Sequence, residues 1–445
     1  PDFVAQPRFV GAGRLRWIAW DHPNMPWNDT SLYEAAFDEA TGRIGDPVLL
    51  GSEQSFMQPV GDLVISDRSN WWNVWRFDGD EPRPVAAAAA EMSAPAWGFG
   101  ERDFVVAADG RVAWAVGGTV VIDGVPHGTP AAGFDHWLIA GSTVTVIARF
   151  ADRDASIVSF SLDDPGDMRT VVPGRRLPLE RSDIAAAEPI EFPTTAGTPA
   201  YAWYYPPTNA AVHGPPEQLP PLVVMIHGGP TSDAVPFFSL AKQFWTSRGF
   251  AVVDVNHRGS TGFGREFRDL LDGQWGVVDV EDCCAAAQWL AASGRVDPAR
   301  MVIRGGSAGG FTVLASLANA DVFAAGASYY GVADLSALAA DTHKFEARYC
   351  DRLIGPWPDA RELYEARSPI NHLDGFDRPL IVFQGLDDMV VPPSQSEMIV
   401  AALSEKGIEC EYHAYEGEGH GFRNAENIVA SITAELEFYR RVLQL

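Results

Sequence analysis

The stretch Arg304-Gly305-Gly306-Ser307-Ala308-Gly309-Gly310 constrains this chain more than any other. It follows Met301-Val302-Ile303, an apolar run that reads as a buried strand, and opens into Phe311-Thr312-Val313-Leu314-Ala315-Ser316-Leu317-Ala318, which has helical composition. A Gly-x-Ser-x-Gly pattern between a strand and a helix puts its serine on a turn so sharp that the hydroxyl stands clear of the sheet. Gly305 and Gly309 answer to that sharpness, because a Cβ at either place would collide with the neighbouring strand and helix. The following helix aims its unpaired N–H groups at the same spot, where the oxyanion of an acyl-transfer intermediate would form. Stripped of its flanks the pattern is a common glycine-rich turn. The strand before it and the helix after it make a nucleophile the better reading.

From about residue 190 onward, apolar strands alternate with helices. Strands are predicted at 222–226, 250–255, 301–303, 323–329, 379–383 and 410–414, and helices at 237–247, 277–292, 394–406 and 425–443. Such alternation predicts a doubly wound, mostly parallel sheet with helices on both faces, whose ligands bind at the carboxyl ends of the strands. Before residue 185 the texture differs: short alternating strands are broken by Gly, Pro, Asp and Asn, with little helical periodicity. Four stretches, 5–38, 57–79, 93–123 and 131–164, share one layout of an apolar strand followed by a second strand ending near an Asp. Their length suits the four-stranded blade of a β-propeller, at ~40 to 50 residues each, with a β-sandwich as the alternative.

A chain of 445 residues suggests two domains. Proline and charge thicken at 178–193, so the expected division is 1–185 for the propeller blades and 186–445 for the α/β domain. The loop 21–27, rich in proline and large side chains, reads as a rigid turn or as the border of a substrate chamber. The alanine run 86–90 reads as a loop or a helical turn.

A net charge of -26 and a pI of 4.6 exclude nucleic acid and anionic membrane surfaces as natural partners. The cysteines Cys283, Cys284, Cys350 and Cys410 lack metal-ligand spacing and read as thiols of a reducing compartment, so the cytoplasm is the expected location, with no metal and no cofactor. No apolar run reaches the ~18 residues of a membrane span.

A serine hydroxyl needs a histidine to take its proton and a carboxylate to orient that histidine, here in the order Ser, Asp, His. After the strand at 379–383 comes the pair Asp387-Asp388, and after the strand at 410–414 comes Gly419-His420-Gly421. Both loops leave the sheet at the carboxyl edge, as Ser307 does. His413 is the competing base, but it lies within a strand. A metal cluster of His413, Glu416 and His420 lacks a second set of ligands in support.

These blocks resemble the prolyl oligopeptidase family, in its acylaminoacyl-peptidase and aminopeptidase branch. The resemblance covers residues 190–445 and rests on His227-Gly228-Gly229-Pro230, Asn256-His257-Arg258-Gly259-Ser260-Thr261-Gly262-Phe263-Gly264, Gly305 to Gly310, Arg367-Ser368-Pro369-Ile370, Asp388 to Pro392, and Gly419-His420-Gly421. It implies an α/β-hydrolase fold preceded by a β-propeller. Four blades are few for such a propeller, so the start of the domain is expected upstream of Pro1 or on a separate chain, and the expected partner is an upstream propeller fragment or, in a homo-oligomer, another copy of the chain.

By position, the resemblance implies Ser307 as nucleophile, His420 as base and Asp388 as acid, since Asp388 stands four residues before Pro392 in the family's Asp-x-x-Val-Pro pattern. The N–H groups of Ala308 and Gly229 would form the oxyanion hole. Two positions depart from the pattern: His257 stands where relatives carry tyrosine, and Val390 where acylpeptide-releasing relatives often carry arginine. The second departure favours a free amino terminus as the group recognised. Glu346 is a candidate carboxylate for that ammonium, with a surface ion pair to Arg348 or Lys344 as the alternative. Tyr329 and Tyr330 either wall an apolar pocket or belong to the core.

The implied function is a serine exopeptidase acting on short peptides or aminoacyl amides, of aminopeptidase, dipeptidyl-peptidase or acylaminoacyl-peptidase type. The alternatives are an esterase or amide hydrolase for a small metabolite or aminoacyl antibiotic, and a propeller binding scaffold with an inactive hydrolase domain.

Overall fold

In the computed structural model, residues 1–445 are described apart from 12, 78–80, 99, 178 and 196. Residues 12, 78–79 and 99 of the first three predicted repeats and residue 178 of the predicted boundary stretch therefore lie outside the described residues. Contacts divide the chain into two units: residues 1–178 with 236–239 and 261–268, and residues 179–235 with 240–260 and 269–445.

Eight strands build the sheet of the second unit: β1 (Glu188–Pro193), β2 (Pro199–Tyr205), β3 (Leu222–Ile226), β4 (Ala251–Asn256), β5 (Met301–Gly306), β6 (Ala325–Tyr329), β7 (Leu380–Gly385) and β8 (Cys410–Tyr415). Their order is β1-β2-β4-β3-β5-β6-β7-β8, antiparallel over the first pairings and parallel from β4 to β8. Every residue of β3, β4, β6 and β7 is buried, which is why these strands read as mostly apolar runs without a polar face. The covering helices include α1 (Leu240–Thr246), α2 (Val278–Ala292), α3 (Ala308–Asn319), α4 (Pro393–Glu405) and α5 (Ala425–Val442). This is the α/β-hydrolase arrangement, and it directs the loops after β3, β5, β7 and β8 to one rim.

Among its described residues the first unit holds four successive antiparallel sheets, each made of consecutive strands. They span Phe3–Gly11 to Val48–Gln54, Phe56–Val60 to Arg83–Pro84, Phe104–Val106 to Val125–Gly128, and Gly133–Ala140 to Asp164–Val172. Consecutive meanders of this kind are how propeller blades are built, whereas a sandwich would exchange strands between two sheets. Within Thr143–Arg149, Val144, Val146 and Ala148 alternate inward, as a period of two requires.

The loop 21–27 enters this unit's core only at its end, where Met25, Pro26 and Trp27 are buried, while Asp21 and Pro23 are exposed. Trp27 is fully buried, with its ring 4.4 Å from that of Trp97. The alanine run 86–90 forms neither helix nor strand, and Asn73 Nδ2 donates to the carbonyls of Ala88 and Ala90 there.

Sequence gave no warning that 261–268 would group with the first unit. Asp67, Asn70 and Glu91 tie it there: the buried Asp67 carboxylate accepts from Arg268 Nη2 at 2.7 Å and from Arg265 Nη1 at 3.3 Å, Asn70 Oδ1 accepts from Glu266 N at 2.7 Å, and Glu91 Oε1 accepts from Gly264 N at 3.2 Å.

Candidate active site

Ser307 sits between β5 and α3 at φ 57° and ψ -122°, a backbone conformation that L side chains rarely adopt. A Cβ on Gly305 would lie 2.6 Å from the Gly309 carbonyl, and one on Gly309 would lie 2.6 Å from the Ile226 carbonyl oxygen. Both contacts are closer than atoms tolerate, so the glycines are required by the elbow itself. The Ser307 N–H donates to Tyr329 O at 2.9 Å, which ties the turn to β6.

Asp388 is the member of its acidic pair that turns inward. Its Oδ1 accepts from the backbone N–H groups of Val390 and Val391 at 2.8 and 2.9 Å, and its Oδ2 meets His420 Nδ1 at 2.7 Å. Asp387 is exposed. The buried carboxylate therefore fixes one histidine tautomer, with the proton on Nδ1 and Nε2 left to accept. Glu418, also buried, clamps the histidine loop by accepting from the N–H groups of Arg423 and Asn424 at 2.8 and 2.9 Å.

His420 packs against Tyr330, with ring centroids 4.8 Å apart, and a Cβ on Gly306 would come within 3.0 Å of that same tyrosine ring. One aromatic side chain thus lies against both the residue before the serine and the histidine. Among the described residues the Ser307 hydroxyl has no hydrogen-bond partner, so the serine and histidine are not yet joined. Such links often tighten only when substrate is bound.

The His227-Gly228-Gly229-Pro230 turn rides over the elbow: a Cβ on Gly228 would lie 3.2 Å from Gly306 O and 3.5 Å from Ser307 Cβ. Gly229 holds φ 116°, a value that favours glycine. His227 Nδ1 lies 2.9 Å from Gly228 O and its Nε2 lies 2.8 Å from Ser260 Oγ, so the ring donates to the carbonyl and accepts from the hydroxyl. His257, at the departed position, stacks on His227 at 4.8 Å. Burial pushes His227 down to about 3 and His257 down to about 4, which keeps both rings neutral near pH 7.

A cavity of about 40 Å³ opens beside Ser307. Glu346, Trp275, Tyr349, Cys350 and Val390 line it, together with Gly229 and Ala308. Burial raises the Glu346 carboxyl above its ordinary value, while His343 and His420 pull it the other way. Arg348 pairs with Asp351 instead of Glu346, and Glu346 Oε1 lies 3.6 Å from His343 Nε2. Of the two alternatives read from sequence, the pair with Arg348 does not form, and Glu346 lines the cavity with His343 as its neighbour.

Neither tyrosine walls that cavity. Tyr329 is a core residue whose hydroxyl donates to Glu435 Oε2 at 2.6 Å, and Tyr330, at φ 40°, serves as the packing partner of His420. Glu435 on α5 also accepts from Arg304 Nε at 2.8 Å, so a buried ion pair lies three residues before Ser307. His413 stacks on Phe383 at 5.3 Å, away from His420, and among the described residues no three His, Cys, Asp or Glu converge as a metal site would require.

The sequence profile of the prolyl oligopeptidase family matches residues 236–445. A solved puromycin-hydrolysing peptidase of Mycobacterium tuberculosis is 38% identical, with a TM-score of 0.93 over 99% of this chain and 70% of that one. A solved puromycin hydrolase is 36% identical, with a TM-score of 0.95 over 100% of this chain and 70% of that one. Dipeptidyl aminopeptidase BIII of Pseudoxanthomonas mexicana is 30% identical over 64% of this chain, which spans 42% of that relative. The chain belongs to the prolyl oligopeptidase family. Among the described residues no helix is long and apolar enough to cross a membrane.

Proposed function

We propose that the chain is a serine exopeptidase that releases the N-terminal residue of short peptides or aminoacyl amides through an acyl-enzyme. The observation that carries this reading is the 2.7 Å contact between His420 Nδ1 and the buried Asp388 carboxylate, on the rim where Ser307 stands strained at the end of β5. His420 Nε2 takes the Ser307 proton as Oγ attacks the scissile carbonyl. The N–H groups of Ala308 and Gly229 receive the oxyanion, and each such donor contributes on the order of 10²-fold or more in rate. His420 then protonates the leaving amine and, in the second half, deprotonates the water that clears the acyl group from Ser307.

Glu346 is the group in the cavity suited to a free ammonium. Its carboxyl is raised by burial, and an arriving cation offsets the cost of ionising it there. Val390 supplies no positive charge to an acyl carbonyl or carboxylate. The small cavity and its aromatic and aliphatic lining favour a modest apolar side chain on the residue released.

The names of the solved relatives favour a second reading, in which the amide cleaved belongs to an aminoacyl antibiotic such as puromycin. Both readings share one chemistry, and a panel of substrates separates them. Aminoacyl-anilides with free and acetylated amino termini, dipeptidyl-anilides, nitrophenyl esters and puromycin are compared for kcat/KM. The exopeptidase reading predicts cleavage of free-amine anilides and loss of cleavage on acetylation; activity confined to the esters contradicts it.

Action in the cytoplasm belongs to the same reading, supported by four cysteines that are all free thiols.

A further inference from the structure

On the rim opposite Ser307, where the loops enter β3, β4 and β5, a groove of about 700 Å³ opens beside the last turns of α5. Among the described residues its charged side chains are four arginines, Arg248, Arg295, Arg300 and Arg440, with no Asp or Glu. In a chain with 59 acidic residues against 33 basic ones, such a concentration of one sign runs against the composition.

Two of the four are answered locally. Arg295 pairs with Glu188 and lies 3.8 Å from the centre of the Tyr204 ring, and Arg300 Nε is 3.6 Å from Asp297. The other two are not. Arg248 Nη1 donates to Phe244 O at 2.9 Å and to Ser247 Oγ at 3.3 Å, while its guanidinium lies over the Phe244 ring at 3.8 Å. Among the described residues no carboxylate pairs with Arg248 or with Arg440.

The rest of the lining is largely apolar, with Leu219, Phe250 and Leu436 offering side chains and a run of prolines stiffening the wall. A ligand suited to it carries one anionic group for an unanswered guanidinium and an apolar body for the groove. A highly charged phosphate compound would leave the apolar part uncovered.

We propose that this groove binds an amphipathic carboxylate, its apolar body on Leu219, Phe250 and Leu436 and its carboxylate on Arg248 and Arg440. Two sources share that chemistry: a fatty-acyl carboxylate and the carboxyl terminus of an apolar peptide. The site lies at the opposite end of the strands from Ser307, so it stands or falls independently of the exopeptidase reading.

The test is titration of the full chain with dansyl-undecanoate, followed by fluorescence, with decanoate, trileucine, trileucine amide and decylammonium as competitors. Saturable binding is expected, weakened about tenfold or more in R248A/R440A and largely retained in R248K/R440K, since the alanines remove the charge-assisted contacts and the lysines keep the charge. Both arginines are exposed, so the variants should fold and hydrolyse anilides at the wild-type rate. Displacement by decanoate identifies the acyl source, and displacement by trileucine but not by its amide identifies the peptide source. Binding that is unchanged in R248A/R440A, displaced equally well by decylammonium, displaced by neither carboxylate, or not saturable overturns the proposal.

Discussion

Two carboxylates in the second unit face opposite demands. Asp388 accepts two backbone N–H groups and a histidine, so its charge is met from three sides. Glu346 has burial without equal compensation, and its carboxyl titrates above the ordinary range. The fraction of Glu346 that is ionised therefore falls as pH drops through that raised value. If the carboxylate binds the substrate ammonium, KM for a free-amine anilide rises toward acid pH, and Glu346→Gln removes the extra pH dependence while raising KM by ~10- to 100-fold at neutral pH. Steady-state profiles of wild type and variant measure this. A variant with unchanged KM assigns Glu346 to structure alone. Sequence reached Asp388 over Asp387 because a proline register marks it. The cavity lining of Glu346 was less legible, since it depends on Arg348 turning to Asp351.

Among the elements, α5 is the one whose part the sequence left unread. The run 425–443 is legible as a closing helix, but no local pattern joins Glu435 to Arg304, which lies on the strand leading to the serine, or to Tyr329 on the next strand. The pair is buried, with the Glu435 side chain fully enclosed and that of Arg304 at 17% exposure. Removing one partner strands the other charge, so Glu435→Leu should cost ~3–5 kcal/mol. The double change Arg304→Met with Glu435→Leu should recover much of that, less ~1–3 kcal/mol for the Tyr329 hydroxyl left without its acceptor. Denaturant unfolding of the three proteins checks both figures, and equal losses in the single and double variants would contradict the pairing. The element ends show a milder limit: the helix read at 237–247 covers only Leu240–Thr246, because helix termini depend on tertiary contacts more than on propensity.

For the whole molecule, the alternation of strand and helix after residue 190 and the repeated meanders before it were both visible as changes in period. What period cannot show is that 261–268, inside a sequence block belonging to the later half, groups with the first unit. Asp67, fully buried, faces Arg265 and Arg268 there, and its Oδ1 accepts from Ser55 N at 2.8 Å as well as from Arg265. Asp67→Asn weakens the charge-assisted hydrogen bonds from both guanidinium groups, at a cost of ~1.5–3 kcal/mol, and should open 261–268 to limited proteolysis. Cleavage unchanged from wild type would show that other contacts hold the segment.

All of this turns on whether Ser307 is activated by His420. Fluorophosphonate labelling followed by peptide mass spectrometry tests that point most directly, in wild type and in His420→Ala. One adduct, on Ser307, formed at least ~10³-fold faster in wild type than in the variant, is the predicted result. An adduct on another residue, or equal labelling rates in the two proteins, would contradict it.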